Sequence, residues 1–363
     1  MESKARCSAC EVVEPLPRSS GRLYLAPPVP HTRRKLREAS KALGLSIEEM
    51  DGGIQGIALG DGDLSRLLGQ LEERPSEPEQ KQSHALFVAG NKTPGLGDLL
   101  QARSLSVLLG RESGCWLVDL MESDRLFAHF HPIVSMANPA NIHAHECLLR
   151  ARGDDGKTIP PFEIFQAASR AELTFHLDRA ARLTAIRDAV SHDLPGKIFI
   201  NFNPTAIYDP NFCLQTTVRA IHDAGIEPSR LVFEVIESEE ISDSKHLKSI
   251  LQFYRDAGFG VALDDLGAGY ASLNLLSSLR PNYIKFDREL VSGIDGDRYR
   301  QTVFSKLVEM ARELDVKTVA EGVETRSEWD FLASQGVDFA QGFLLCRPDA
   351  PPQTPKLPSG AGV

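Results

Sequence analysis

What most constrains the fold of this 363-residue chain is a pattern that begins at about residue 126: short apolar strands alternate with amphipathic helical stretches, and one strand after another ends on a carboxylate, an amide or a lysine. Alternation of this kind favours an α/β domain with a mainly parallel sheet. The pattern predicts strands near 126–136, 142–150, 196–203, 231–237, 260–266, 282–287, 318–324 and 339–345. It predicts helices over Ser169 to Val190, Leu214 to Ala224, Ser244 to Ala257, Tyr299 to Leu314 and Arg326 to Ser334. Eight strands are the number for a closed (β/α)8 TIM-like barrel, whose reactive groups gather at the C-terminal ends of the strands.

The side chains at those ends can be read one strand at a time. In Ile142-His-Ala-His-Glu-Cys-Leu-Leu-Arg150 the period of two sets Glu146, Leu148 and Arg150 on one face. Arg150 suits a phosphate, and Glu146 with Arg150 also reads as a plain ion pair. Asn201 and Asn203 share a face of Ile198-Phe-Ile-Asn-Phe-Asn-Pro204, either as amide ligands for a hard cation or as partners of their own backbone. Leu231-Val-Phe-Glu-Val-Ile-Glu237 places Glu234 toward the barrel interior and Glu237 where strand becomes loop.

Phe259-Gly-Val-Ala-Leu-Asp-Asp-Leu-Gly-Ala-Gly-Tyr270 ends a strand in the pair Asp264-Asp265 and a glycine loop. Adjacent carboxylates are costly to desolvate, so the pair calls for cations or for full solvation in an ordinary polar turn. Lys285, inside Asn282-Tyr-Ile-Lys-Phe-Asp287, needs acids nearby. Thr318-Val-Ala-Glu-Gly-Val-Glu324 offers Glu321 and Glu324, and Phe339-Ala-Gln-Gly-Phe343 offers Gln341. Oxygen ligands without clustered His or Cys point to Mg2+ or Mn2+, and Glu146, Asn201, Glu234, Asp264, Asp265 and Glu321 suffice for two ions. Such a pair serves phosphodiester hydrolysis, with Lys285 orienting or deprotonating the water or neutralising charge on phosphorus. Glycoside hydrolysis also uses barrel carboxylates, but it does not call for Asn, an Asp pair and a Lys together.

Residues 1–120 have a different texture and read as a smaller N-terminal α/β module for input or docking. A basic helix is expected from about Arg33 to Leu43, a linker or surface loop over Glu72 to Ser83, strands at Ala85–Ala89 and Cys115–Leu120, and a helix near Leu99 to Leu109. Cys7-Ser-Ala-Cys10 reads first as ordinary thiols; as half of a Zn2+ site it would need two more ligands, such as His31 or Cys115. Residues 349–363, rich in Pro and Gly, read as a flexible tail.

The net charge of −10 argues against broad binding to duplex nucleic acid, though not against a phosphate ligand held through metals. No run of about 18 apolar residues could span a membrane, and Met1-Glu-Ser-Lys-Ala-Arg-Cys-Ser opens without a secretory stretch, so a cytoplasmic location without disulfides is expected.

Taken in order, Glu146-Cys-Leu-Leu-Arg, Asn201-Phe-Asn-Pro, Glu234-Val-Ile-Glu-Ser, Asp264-Asp-Leu-Gly-Ala-Gly-Tyr, Lys285-Phe-Asp, Glu321-Gly-Val-Glu and Gln341-Gly resemble the motifs of the EAL-domain cyclic di-GMP phosphodiesterases over about residues 121–348. The resemblance implies hydrolysis of cyclic di-GMP to linear pGpG with two Mg2+ or Mn2+ ions, a barrel whose first strand is antiparallel to its neighbours, and a homodimer. It makes Glu146, Asn201, Glu234, Asp264, Asp265 and Glu321 metal ligands, puts Lys285 at the hydrolytic centre with Glu321 as a further candidate base, and gives Gln341 a positioning role. It makes Leu148, Arg150 and His131 substrate contacts and Glu237 the anchor of the loop after the Asp pair. His131 stands where Gln is usual, Cys147 where Ala is, Ser169 where an acid is, and Leu266 where Phe is common; none removes a metal ligand. The expected function is a phosphodiesterase regulated through residues 1–120, with a regulatory protein partner as one expected input. The alternative is a catalytically silent cyclic di-GMP receptor that signals to a partner.

Overall fold

The computed structural model describes residues 12–204, 207, 209–236, 244–266 and 273–356. They form two compact units, one running up to Asp124 and including Ile159–Leu177, the other Arg125–Thr158 with the chain from Asp178 onward.

The first unit holds a five-stranded antiparallel sheet, β1 (Gly21–Ala26), β2 (Ile47–Glu49), β3 (Gln55–Leu59), β4 (His84–Ala89) and β5 (Arg103–Ser104), in the order β2-β3-β1-β4-β5. Leu23 and Leu25 of β1 and Ile57 and Leu59 of β3 point to one face, where Leu36, Ala39, Leu64, Leu67, Leu68, Leu71 and Leu105 bury them. The basic helix is present as Pro30–Ala42. Three local expectations are corrected, the first being the helix near Leu99 to Leu109, which is instead Leu96–Leu99 and Leu105–Ser113 with β5 between them. The stretch expected as a loop contains the helix Glu77–Gln82, started by a capping box between Ser76 and Glu79 that two nearby prolines obscure. Glu79 also accepts from Thr32 Oγ1 at 2.7 Å and Lys35 Nζ at 2.8 Å. Cys115–Glu122 is a helix and not a strand, because only Leu117 and Leu120, three apart, are buried on it.

In the second unit β6 (Leu126–Ser135), β7 (Ile142–Arg152), β9 (Lys197–Phe202), β10 (Leu231–Ile236), β11 (Gly260–Leu266), β12 (Tyr283–Phe286), β13 (Lys317–Ala320) and β14 (Phe339–Ala340) form a closed eight-stranded barrel. β8 (Thr158–Ile159) takes no part in the closure. The neighbouring pairs from β7 through β14 are parallel, while β6 is antiparallel to both β7 and β14. All eight expected strands are present, the last two shorter than expected. The helix expected over Ser169 to Val190 is two helices, Pro161–Arg170 and Thr174–Ser191, with left-handed Glu172 (φ 53°) between them. Asp349 bridges to Phe130, its carbonyl accepting from Phe130 N at 2.9 Å, so the expected tail begins anchored.

One layer of the interior sets up everything above it. Ile133, Ala144, Phe199, Val232, Ala262, Tyr283 and Val319 are buried against one another, with Phe339 packed beside them. A strand repeats its facing every two residues. The next inward positions toward the mouth are therefore Glu146, Asn201, Glu234, Asp264, Lys285, Glu321 and Gln341, and on the antiparallel β6 the corresponding step runs backward to His131.

Candidate active site

The polar layer converges on Lys285, whose side chain is only 1% exposed. Its Nζ lies 2.6 Å from Glu234 Oε1, 2.6 Å from Glu321 Oε1, 3.0 Å from Asp264 Oδ1 and 3.7 Å from Glu146 Oε1. Burial opposes the charge on Lys285, but the carboxylates of Asp264, Glu146, Glu234 and Glu321 outweigh it and hold the ammonium protonated. Burial, then the crowding of like charges, pushes the carboxyls of Glu234, Asp264 and Glu321 above their ordinary range. Glu146 goes the other way, because Lys285 and Gln341 more than offset its burial.

The two adjacent aspartates reach the site together through a backbone irregularity. Strict alternation would turn Asp265 away from Asp264, but the β11–β12 register shifts between Leu263 and Leu266, and Asp265 is left-handed at φ 57°. Burial and then Asp264 push the Asp265 carboxyl up to about 6.

Glu146, Glu234 and Asp264 offer one group of carboxylate oxygens within 4.8 Å of one another; Asp264, Asp265 and Glu321 offer a second. Asp264 is common to both. Four carboxylates surround the ammonium and Asp265 stands beside Asp264; ionised together the five would leave four negative charges, which two divalent cations would neutralise. Glu234 Oε2 and Gln341 Oε1 are buried without a hydrogen-bond partner among the described residues. An orphaned carboxylate oxygen in an all-oxygen, acid-rich set fits a hard divalent cation.

The other expected site residues fall around this centre. Asn201 Nδ2 donates to Glu146 Oε1 at 3.3 Å, while Asn203 is used through its backbone, its N–H donating to Asp178 Oδ1 at 3.0 Å. Gln341 Nε2 donates to Glu146 Oε2 at 2.6 Å and also to His131 Nδ1. Leu148 and Arg150 lie on the Glu146 face of β7, across from His129 and Phe127. Arg150 makes no ion pair with Glu146 among the described residues, and its Nη1 donates to Leu149 O at 2.8 Å. Glu237, the loop Gly267–Tyr270, Cys7 and Cys10 lie outside the described residues.

Two supporting residues went unremarked in the sequence. Glu328 accepts from Gly293 N at 2.8 Å, Glu324 N at 2.9 Å and Thr325 N at 2.9 Å, tying the segments that follow β12 and β13. Its signal was legible as the capping box Thr325-x-x-Glu328. Asp178, which holds the end of β9 and pairs with the fully buried Arg182, has no such local signature.

Known proteins carry the same architecture. The family model described as EAL domain matches residues 115–348. A bifunctional diguanylate cyclase/cyclic di-GMP phosphodiesterase, MucR of Pseudomonas aeruginosa, is 32% identical over 234 residues, covering 63% of this chain and 34% of that protein. A probable cyclic di-GMP phosphodiesterase of Escherichia coli K12, PdeG, is 30% identical over 227 residues, covering 60% of this chain and 44% of that protein. The chain thus spans less than half the length of these relatives. Among solved structures, a standalone EAL protein from Vibrio cholerae O395 in its c-di-GMP-bound form superposes with a TM-score of 0.58 at 31% identity, over 64% of this chain and 97% of that one. Klebsiella pneumoniae BlrP1, in a calcium/cy-diGMP complex, gives a TM-score of 0.56 at 25% identity and covers 91% of this chain and 96% of that one, reaching beyond the barrel. Among the described residues no helix is long and apolar enough to cross a membrane.

Proposed function

The chain belongs to the EAL domain family, and from that premise we propose that it is a phosphodiesterase that hydrolyses cyclic di-GMP to linear pGpG. The observation that carries this reading is Asp264 standing between two carboxylate groups, each sized for a cation, around a buried ammonium. Relatives named as cyclic di-GMP phosphodiesterases and EAL structures holding c-di-GMP supply the substrate class.

Glu146, Asn201, Glu234, Asp264, Asp265 and Glu321 would hold two Mg2+ or Mn2+ ions. When bound, such ions make water a competent nucleophile at neutral pH and stabilise charge on the phosphoryl oxygens. The chain's own groups complete the site. Lys285, kept protonated among its carboxylates, donates hydrogen bonds and sets positive charge where the phosphodiester gains negative charge. Gln341 orients Glu146 through its amide hydrogen. Glu321, at the mouth end of β13 and paired with Lys285, would be a carboxylate to take a proton from attacking water. Arg150 and Leu148, on the rim face of β7, would meet the phosphate and base of the substrate. Regulation through residues 1–120 and dimerisation belong to the same proposal, with 121–348 as the catalytic barrel.

The test is direct. Pure full-length protein with Mn2+ should convert cyclic di-GMP to pGpG, resolved by chromatography, and Glu146→Ala or Asp264→Asn should abolish conversion. Tight binding with intact substrate recovered would replace this reading by that of a silent receptor, and absence of nucleotide binding would end both. Equal turnover by full-length and N-terminally truncated protein would remove the regulatory role.

A further inference from the structure

His131 occupies the eighth position of the polar layer, contributed by the one antiparallel strand and paired in register with Glu146. It is 8% exposed. Its Nε2 lies 3.2 Å from Cys346 O, and a carbonyl oxygen can only accept, so Nε2 carries the proton. In a neutral ring Nδ1 is then a lone-pair acceptor, and it faces Gln341 Nε2. The same amide nitrogen lies 2.6 Å from Glu146 Oε2, again an obligatory acceptor. Both hydrogens of the Gln341 amide are therefore spoken for, and its Oε1 is left buried, without a partner among the described residues, on the remaining side. Turned over, the amide would set its oxygen against the Glu146 carboxylate and the His131 lone pair at once, two repulsive contacts in a buried place.

We propose that His131 is a positioning residue for the metal-binding carboxylates: by fixing the Gln341 amide it aims Glu146 Oε1 at the cation group and presents Gln341 Oε1 to the same interior, and it does so without touching the nucleotide. The chain of contacts runs from Cys346 O through His131 and Gln341 to Glu146, joining β6, β14 and β7 where the barrel closes. This departs from the substrate-contact role that resemblance alone implies for position 131. The half-buried rim groups His129, Leu148 and Arg150 remain for the substrate, one or two inward positions nearer the mouth. The inference rests on the reading of this layer as a divalent-cation site.

The experiment measures Mn2+ affinity of the full chain by calorimetry, alongside cyclic di-GMP affinity in EDTA, for His131→Ala, His131→Asn, Gln341→Ala and the double variant His131→Ala/Gln341→Ala. Removing an outer partner of a metal ligand weakens metal binding by about 10-fold or more. His131→Ala and Gln341→Ala should each do so, and the double variant should be no weaker than Gln341→Ala, since His131 acts only through that amide. His131→Asn, which keeps an acceptor oxygen for Gln341, should recover most of the loss. Nucleotide affinity in EDTA should stay within about twofold throughout. Unchanged Mn2+ affinity in His131→Ala, additive losses in the double variant, or a loss confined to nucleotide affinity would each overturn the proposal. If His131→Ala does not fold, His131→Leu, which fills the site but offers Gln341 no acceptor, takes its place, and Mn2+ affinity equal to that of His131→Asn would overturn the proposal. Failure of the wild-type protein to take up Mn2+ would overturn the cation reading itself, and Mn2+ uptake without turnover would overturn only the hydrolase reading.

Discussion

Lys285 Nζ and Glu234 Oε1 are 2.6 Å apart at the floor of the barrel mouth, with side chains 1% and 0% exposed. A buried pair of this kind is retained for what it does to its surroundings more than for net stability, because desolvation consumes most of the Coulombic gain. Removing the ammonium would leave Glu234 beside Glu146 and Asp264 with no cation. Lys285→Met should therefore abolish turnover and, in EDTA, cost about 3–5 kcal/mol of stability by urea denaturation. Saturating Mn2+ should return a large part of that stability without returning activity. Undiminished stability in EDTA would mean that the carboxylates simply protonate.

Asp265 serves both through its carboxylate and through its left-handed backbone. The two roles separate by substitution. Asp265→Gly and Asp265→Asn tolerate the conformation, whereas Asp265→Ala carries a penalty of about 1–2 kcal/mol. All three should lose turnover, and only Ala should lose stability to that extent in denaturant titrations. Equal stabilities would remove backbone strain as a factor at the Asp pair.

Gly322, directly after Glu321, has φ 64°, and a Cβ there would lie 2.4 Å from Arg288 Cγ and 2.6 Å from Arg288 Cβ. Gly322→Ala should push the Glu321 segment off Arg288, destabilise the protein by about 1–3 kcal/mol and lower kcat more than KM. Arg288→Gly in the same chain should relieve the clash while leaving the cost of the backbone conformation. An unchanged kcat in Gly322→Ala would show that Glu321 is placed independently of this contact.

Glu79 is the ionic hinge of the first unit. Hydrogen bonds from Lys35, Ser76 N–H and Thr32 hold its carboxyl well below the usual carboxylate range. A depressed folded-state pKa contributes stability that is complete above the unfolded value near 4.5 and is lost as pH falls toward the folded value. Glu79→Gln should cost about 1–3 kcal/mol at pH 7, and the difference from wild type should hold down to about pH 5 and shrink below it in denaturation series taken to pH 3. A constant difference across that range would exclude the charge as its source.

Alternation in a strand is local and survives in any tertiary setting, so the sequence alone set Glu146, Leu148 and Arg150 on one face of their strand and turned Glu234 toward the interior. That Phe199 lies one inward step below Asn201, Val232 below Glu234, Tyr283 below Lys285 and Val319 below Glu321 came with the buried layer of the barrel. Local chemistry misled at Glu77–Gln82, where prolines hid a capped helix, and at Cys115–Glu122, where a short apolar run fits strand or helix alike. The sequence put Asp264 and Asp265 in one ligand set, but only tertiary structure supplied how both can face it, since the bulge that turns Asp265 appears only in β11's pairing with β12. Tertiary structure also decided what His131 meets, since Gln341 and Cys346 are more than 200 residues away in sequence. Pattern along the chain sets which way a side chain points; only barrel closure, which brings the first strand against the last, sets what it meets.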